Sequence, residues 1–179
     1  MGKSGFYIGR FQPLHYGHIN IINKGLQEMD EFIVIIGSIN KKNDRNPLSF
    51  ITRKKIIEKT FNNSKLKIMG LRDYGSDIWY RVLKDILHNN TSNDLYMYYC
   101  VKDNDTDTQQ YINEIIEKLH IKSCIFVKES TIDNIPVNST DIRKKIQDFI
   151  TDIQKYIPPE TLCSIIKSLV DNTISDTDS

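Results

Sequence analysis

The stretch from Gly5 to His18, GFYIGRFQPLHYGH, combines a strand, a sharp turn and the start of a helix. Its apolar run from Phe6 to Ile8 is typical of a buried strand, and Gly9 ends that run where the backbone must turn. Pro13 cannot continue a β-ladder, and a helical apolar pattern begins directly after His18. The stretch therefore predicts a β-strand, a turn, and a helix that starts near residues 16–18.

The side chains around this turn are suited to phosphate binding. Arg10 follows the carboxyl end of the strand, which is the edge where open α/β sheets bind ligands. His15 and His18 are three residues apart and can face the same way, while Gly17 between them allows a ligand to approach the backbone. A helix N-terminus adds unpaired N–H groups and partial positive charge. Together these groups predict a site for phosphate oxygens.

Two other interpretations of the histidines remain open. A histidine beside apolar residues is most often structural, and this holds for either histidine taken alone. A zinc site would need further ligands, but Cys100, Cys124 and Cys163 are scattered without metal-ligand spacing. We therefore expect no metal bound by the protein itself.

The composition limits the class of protein. The chain has 179 residues, of which 39% are hydrophobic, and this suits one domain with a sizeable core. Its net charge of +1 gives no extended basic field, so we expect no nucleic-acid partner. The odd number of cysteines suits a reducing compartment, and no apolar stretch reaches the ~18 residues of a membrane span. We expect a cytoplasmic protein with no signal peptide and no membrane partner.

Strand-like and helix-like segments alternate five times along the chain. This order predicts an α/β fold, a Rossmann-like doubly wound parallel sheet with helices on both faces. We expect a single domain over residues 1–170, with a C-terminal helix at about 160–170, and a disordered acidic tail at 171–179. The predicted strands are residues 6–8, 31–37, 65–71, 94–101 and 121–128, and the predicted helices are 17–29, 50–61, 77–88, one ending at 120 and one starting near 139.

Further candidate residues follow later strands or lie at a later helix start. Arg45 is in the loop after the second strand, at the same sheet edge as the first turn. Lys102 follows the fourth strand and is either a phosphate neighbour or a solvated lysine. Trp79 is either a core residue or an aromatic face for a heteroaromatic ring. A second helix start, near residue 139, is also suited to phosphate binding. Ser139 and Thr140 supply hydroxyls there, and Arg143 supplies positive charge.

Two segments resemble the signatures of one superfamily. GRFQPLHYGH resembles the nucleotidylyltransferase signature, whose HxGH element contacts the phosphates of a nucleoside triphosphate. In its full form it is similar to the nicotinamide-mononucleotide adenylyltransferases of the archaeal type. VNSTDIR resembles the second signature, ISxTxIR, with Asn138 where serine usually stands. The resemblance extends over about residues 5–169.

Three further segments refine this resemblance. DYGSDIW resembles a segment in which an acidic residue follows the strand and tryptophan packs against nicotinamide. NPLSFITRKKII resembles NPFTxxER but lacks the acidic residue before Arg53, and this departure weakens a role for Arg53. VKDNDTDTQQYI is similar to GxxKDxxSYY, found in adenylyltransferase domains fused to a Nudix hydrolase. No Nudix box follows, so we expect the fused activity to be absent.

The resemblance implies an enzyme of NAD biosynthesis that transfers the adenylyl group of ATP, with Mg²⁺, to nicotinamide mononucleotide, giving NAD and pyrophosphate. It also implies a homo-oligomer. The alternatives are a nucleotidylyltransferase acting on phosphopantetheine or nicotinate mononucleotide, and a catalytically inactive nucleotide-sensing binding protein. The implied catalytic residues are His15, His18 and Arg143; the ATP-binding residues are Gly9, Arg10, Phe11, His15, His18, Arg45, Lys102, Asn138, Ser139, Thr140 and Arg143; and the mononucleotide-binding residues are Arg10, Asp73, Tyr74 and Trp79.

Overall fold

The computed structural model describes residues 2–100, 106–128, 131–132, 135–158 and 161. The chain separates into two compact units, of which the first ends at Ser139 and the second begins at Thr140. The first unit contains a five-stranded parallel sheet and four helices, and the second contains nearly all of a fifth helix.

The sheet of the first unit has the strand order β3-β2-β1-β4-β5, and every neighbouring pair is parallel. The order reverses between β1 and β4, and parallel sheets bind ligands outside the carboxyl ends of the strands at such a point. The turn after β1 therefore lies at the expected ligand crevice. The strands are β1 Lys3–Gly9, β2 Glu31–Ile36, β3 Leu66–Gly70, β4 Asp94–Tyr99 and β5 Ser123–Phe126.

The helices cover both faces of this sheet, which makes it doubly wound. The continuous apolar run of β2 is completely buried, and its residues alternate between two hydrophobic clusters, with Ile33 and Ile35 in one and Phe32, Val34 and Ile36 in the other. Because both faces are covered, the run needs no polar positions. The helices are α1 Tyr16–Glu28, α2 Phe50–Phe61, α3 Ser76–Asn90, α4 Thr106–Leu119 and α5 Ser139–Ile153.

This architecture confirms the predicted α/β Rossmann-like fold. The sequence analysis did not predict a short antiparallel hairpin, β6 Thr131–Ile132 and β7 Ile135–Pro136. Lys102, the acidic tail and the predicted C-terminal helix apart from Thr161 lie outside the described residues. In the part of the chain that is described, we find no helix with the length and apolar character of a membrane span.

Candidate active site

Two stacked histidines lie at the start of α1. His15 is the N-cap residue, with extended backbone, and its carbonyl accepts the hydrogen bond of the Ile19 N–H at 3.0 Å. The rings of His15 and His18 are parallel within 26° and their centroids are 3.7 Å apart. The structure therefore brings the two predicted histidines together at a helix N-terminus, where unpaired N–H groups attract anions.

The ring of Phe11 packs beneath His18, with 4.8 Å between the centroids. Phe11 is only 1% exposed, and Gly9 leaves room for it, since a Cβ at Gly9 would lie 2.9 Å from the Phe11 ring. The sequence analysis placed both residues among the ATP contacts. In the structure both residues have a packing role. The buried Phe11 ring packs against His18, and the absence of a side chain at Gly9 leaves space for that ring.

Gly17 also serves the histidine pair. A Cβ at Gly17 would lie 3.0 Å from Cε1 of His15 and 3.1 Å from its Nδ1, closer than side chains normally pack. The sequence analysis explained this glycine by the approach of a ligand to the backbone. In the structure the space is used by the His15 imidazole instead.

The His18 imidazole is electrically neutral in this environment. Burial, with a smaller contribution from the charge of His15, lowers the pKa of His18 to about 3. Its Nδ1 atom is buried and has no hydrogen-bond partner among the described residues. A neutral imidazole with its proton on Nε2 donates one hydrogen bond to a ligand. His18 can therefore act on phosphate oxygens as a hydrogen-bond donor and not as a cation.

The lowered pKa of His18 predicts a loss of stability in mild acid. Between about pH 6.5 and 3 the unfolded chain binds a proton at His18 and the folded chain does not. The free energy of unfolding should therefore fall as the pH drops below 6.5, by at most about 1.4 kcal/mol per pH unit. Urea titrations at pH 7 and pH 5 measure this difference.

The control for this prediction is His18→Gln, which cannot titrate. The pKa values of Glu28, Glu31 and Glu114 also lie below the ordinary 4.5, so their contributions are lost only in stronger acid. The difference between pH 7 and pH 5 should therefore shrink in the variant. An unchanged difference would contradict the assignment of a neutral His18 with a buried Nδ1 atom.

Gln12 joins the histidine turn to the loop that carries Arg45. Its side chain is 1% exposed, and its Oε1 accepts the Leu48 N–H at 2.9 Å while its Nε2 donates to the Leu48 carbonyl at 2.9 Å. An amide that pairs with both backbone groups of one residue fixes that residue's position. The sequence analysis missed this role of Gln12, because its partner is 36 residues away.

A tight turn shapes the loop around Arg45. The Asn43 Oδ1 accepts the backbone N–H of Arg45 at 3.1 Å and that of Asn46 at 3.1 Å, and it also accepts the Asn46 Nδ2 at 2.9 Å. Arg45 itself is exposed. The turn and the Gln12 amide together hold an exposed arginine at the carboxyl edge of the sheet, as the sequence predicted from its place after β2.

Arg53 is buried at 1% exposure in the first turn of α2, and burial lowers its pKa. Its guanidinium donates to the carbonyls of Arg10 and Gly37. The position before it, Thr52, is exposed and bonds to the N-cap Ser49, whose hydroxyl accepts the Thr52 N–H at 3.1 Å. An acidic residue at this position would complete a capping box. The backbone contacts of Arg53 do not depend on such a residue, because they come from its own guanidinium.

The second signature begins beside the first within the first unit. The Ser139 hydroxyl donates to the Pro13 carbonyl at 3.2 Å, and Asn138 is half-buried next to it. Ser139 is the first residue of α5, and its hydroxyl bonds to the histidine turn. In the second unit, Arg143 Nη2 donates to the Thr140 hydroxyl at 3.4 Å, which places these two predicted residues on one face of α5.

Asp73 joins the loop after β3 to the loop after β2. Its carboxylate accepts from the Ser38 hydroxyl at 3.0 Å and lies 3.0 Å from Lys41 Nζ, and its N–H donates to Asn40 Oδ1 at 2.9 Å. Asp73 is therefore engaged within the protein, and Tyr74 beside it is 42% exposed.

Trp79 is half-buried in the first turn of α3. It packs against the hydrophobic cluster on its side of the sheet, and its ring centroid lies 5.1 Å from that of Tyr80 and 5.5 Å from that of Tyr111. The structure thus gives Trp79 core contacts and leaves part of its surface open at the carboxyl edge. The stacking role stays a prediction.

Known proteins resemble this chain over most of its length. A nicotinamide-nucleotide adenylyltransferase of Archaeoglobus fulgidus is 28% identical over 168 residues, which cover 92% of this chain and 90% of that protein. A protein of the same name from Methanococcus maripaludis is 27% identical over 170 residues, covering 92% and 88%.

A solved structure shares the fold. The bifunctional NMN adenylyltransferase/ADP ribose pyrophosphatase of Francisella tularensis aligns with a TM-score of 0.69 and 22% identity, over 100% of this chain and 57% of that one. The chain thus spans little more than half of the bifunctional protein. A second structure of that protein, in complex with AMP and a manganese ion, has a TM-score of 0.62.

The parallel sheet, the histidine turn after β1 and the Ser139 helix start lie within the residues that one family model matches. That model describes cytidylyltransferase-like proteins and matches residues 6–145. It includes both predicted signatures and the strands between them, so the chain belongs to the cytidylyltransferase-like family.

Proposed function

We propose that the chain transfers the adenylyl group of ATP to nicotinamide mononucleotide, giving NAD and pyrophosphate. The observation that carries this proposal is the 3.2 Å hydrogen bond from Ser139 to Pro13, which joins the start of the second signature to the histidine turn. The names of the archaeal relatives, at 27% and 28% identity, supply the acceptor.

The proposed reaction makes few chemical demands on the protein. The phosphate of the mononucleotide attacks the α-phosphorus of ATP in line, so no protein nucleophile is required. The protein aligns two anions and stabilises the charge that develops on the leaving pyrophosphate. The site therefore needs hydrogen-bond donors and positive charge placed around phosphate oxygens.

The donors have separable roles in this proposal. His18 donates a hydrogen bond as a neutral imidazole, because its pKa of about 3 keeps it unprotonated. Arg10 and Arg45 supply positive charge from the loops after β1 and β2. The resemblance adds Arg143 as a further phosphate-binding residue. Mg²⁺ would enter with ATP as part of the substrate and would supply positive charge to its phosphates.

One assay tests the proposed function. The full chain is incubated with MgATP and nicotinamide mononucleotide, and NAD and pyrophosphate are measured. Parallel reactions contain phosphopantetheine or nicotinate mononucleotide as the acceptor. We expect equal amounts of NAD and pyrophosphate and a higher kcat/KM for nicotinamide mononucleotide than for either alternative. Binding of ATP without any product would instead identify a nucleotide-sensing protein.

The assembly state is a separate prediction, which rests on the resemblance to the archaeal-type enzymes. We expect the chain to form a homo-oligomer at micromolar concentration. Sedimentation equilibrium measures the mass, for which one chain accounts for 20.9 kDa. A single species of that mass would refute the prediction.

A further inference from the structure

The Arg53 guanidinium joins the ends of the two neighbouring strands β1 and β2. Its Nη1 atom donates to the Arg10 carbonyl at 2.7 Å and to the Gly37 carbonyl at 2.8 Å. Arg10 and Gly37 are the first residues after their strands, and the two turns are also joined by the Gly37 N–H, which donates to Gly9 at 2.9 Å. A single nitrogen with two hydrogens thus bridges two turns at the carboxyl edge.

The two bridged turns each contain a residue with left-handed backbone at the same place. Phe11, directly after Arg10, and Ser38, directly after Gly37, both have φ of 51°. Residues other than glycine adopt this left-handed conformation infrequently, and they keep it where the surrounding structure holds them. In each turn the carbonyl that Arg53 binds belongs to the peptide just before the left-handed residue. Arg53 therefore fixes the orientation of the peptide group that precedes each left-handed residue.

Holding those carbonyls also orients the opposite side of each peptide. In a trans peptide the N–H points away from the C=O, so the N–H groups of Phe11 and Ser38 point away from the guanidinium. Neither N–H donates a hydrogen bond to a described residue. The same bond fixes the backbone from which the Arg10 side chain extends. Arg53 thereby sets the direction of groups on both turns that could face phosphate oxygens.

The charge of Arg53 is not neutralised by a neighbouring acid. Within the described residues, no carboxylate lies within 4.0 Å of its guanidinium, and its remaining contacts are carbonyls, including Ser49 at 3.3 Å. Burial of a charge without an acid is unfavourable, and an apolar side chain of similar volume would fill the space at lower cost. The positive charge beneath the turns is thus more than packing requires.

We propose that Arg53 is a positioning residue of the phosphate-binding site, which orients the turns after β1 and β2 and places positive charge beneath them. This inference rests on the proposed function only in taking the ligand to be a polyphosphate. A lysine would keep the charge but could not reproduce the rigid fork that bridges two carbonyls. The two contributions of Arg53 can therefore be separated by substitution.

The test uses inorganic tripolyphosphate and the full chain. Its affinity is measured by titration calorimetry for the wild type, Arg53→Lys and Arg53→Met, together with the thermal midpoint of each. The matched control is Ile57→Ala, one turn further along α2 and 0% exposed, because it loses core packing while its apolar side chain supplies neither charge nor a hydrogen bond to the two turns. We expect Arg53→Met to bind at least about tenfold more weakly and Arg53→Lys to be intermediate, while Ile57→Ala binds like the wild type.

Equal affinities for the wild type and a folded Arg53→Met would overturn the proposal. So would a loss in Arg53→Met that Ile57→Ala reproduces at the same thermal midpoint, since a purely structural role predicts that result. An Arg53→Lys variant with wild-type affinity would remove the orienting role and leave only the charge, contrary to the proposal.

A measurement on the wild type covers the case in which the variants do not fold. The amide NMR signals of Phe11 and Ser38 are followed as tripolyphosphate is added. Asn62 and His120, the other two described non-glycine residues with positive φ, serve as controls. We expect Phe11 and Ser38 to shift and the controls to stay in place. Unchanged signals at Phe11 and Ser38 would overturn the proposal.

This test separates the inference from the proposed function. Tripolyphosphate binding requires neither an acceptor nor turnover. A chain that binds it through Arg53 but makes no NAD would refute the proposed function and support the inference. A chain that makes NAD equally well with Arg53→Met would support the function and refute the inference.

Discussion

Replacement of His18 by alanine is expected to lower kcat by about a hundredfold or more while the fold survives. The reason is that the His18 donor stabilises charge that develops on the phosphate oxygens only in the transition state. His18 lies directly on the His15 ring and above the buried Phe11, so its position is fixed before any ligand binds. Steady-state kinetics with MgATP and nicotinamide mononucleotide measure the loss.

Two further variants show what kind of group His18 is. His18→Gln keeps a neutral donor, and we expect it to retain more activity than His18→Ala, because the pKa of His18 already makes it neutral. His88→Ala is the control, since His88 is exposed in the last turn of α3. Near-normal turnover of folded His18→Ala would remove His18 from the mechanism, and equal losses in the alanine and glutamine variants would contradict a simple donor role.

Replacement of Trp79 by alanine is expected to raise the KM for nicotinamide mononucleotide about five- to thirtyfold, with a much smaller change for ATP. A flat cationic pyridinium gains roughly 1–2 kcal/mol from stacking and cation–π attraction on an indole. ATP phosphates and the flexible arm of phosphopantetheine gain nothing comparable. The same argument predicts the preference for nicotinamide mononucleotide over phosphopantetheine.

The controls for Trp79 separate stacking from packing. Trp79→Phe keeps an aromatic face and should recover most of the affinity for the mononucleotide. Val82→Ala removes a side chain that packs against the same cluster on the same helix, so it should lower stability without a selective effect on either KM. If Trp79→Ala lowers stability and changes neither KM, Trp79 is a core residue and the assignment of the acceptor pocket is wrong.

The sequence by itself determined the features that depend on neighbouring residues. Alternating strand and helix patterns predicted the doubly wound sheet, because the period of apolar residues follows directly from local backbone geometry. The glycine, proline and helix-start pattern between Gly9 and His18 predicted the turn and the helix after it, and α1 does begin at Tyr16. The N-cap of α2 is equally local, because the Ser49 hydroxyl accepts the N–H of Thr52, three residues along the chain. The family prediction was confirmed for the same reason, since its signatures are continuous stretches of chain.

Only the tertiary structure decided the features that depend on distant partners and on burial. Gln12 binds Leu48 across 36 residues and Arg53 binds Arg10 across 43, and no local pattern reports such pairs. The neutral state of His18 also follows from its surroundings, because burial disfavours the charged imidazole and a sequence does not show how deeply a ring is buried. In the sequence, the missing acidic residue before Arg53 weakens the role that the resemblance gives Arg53. In the folded protein that position faces solvent, while the guanidinium points inward to two backbone carbonyls, because consecutive helical residues face different directions.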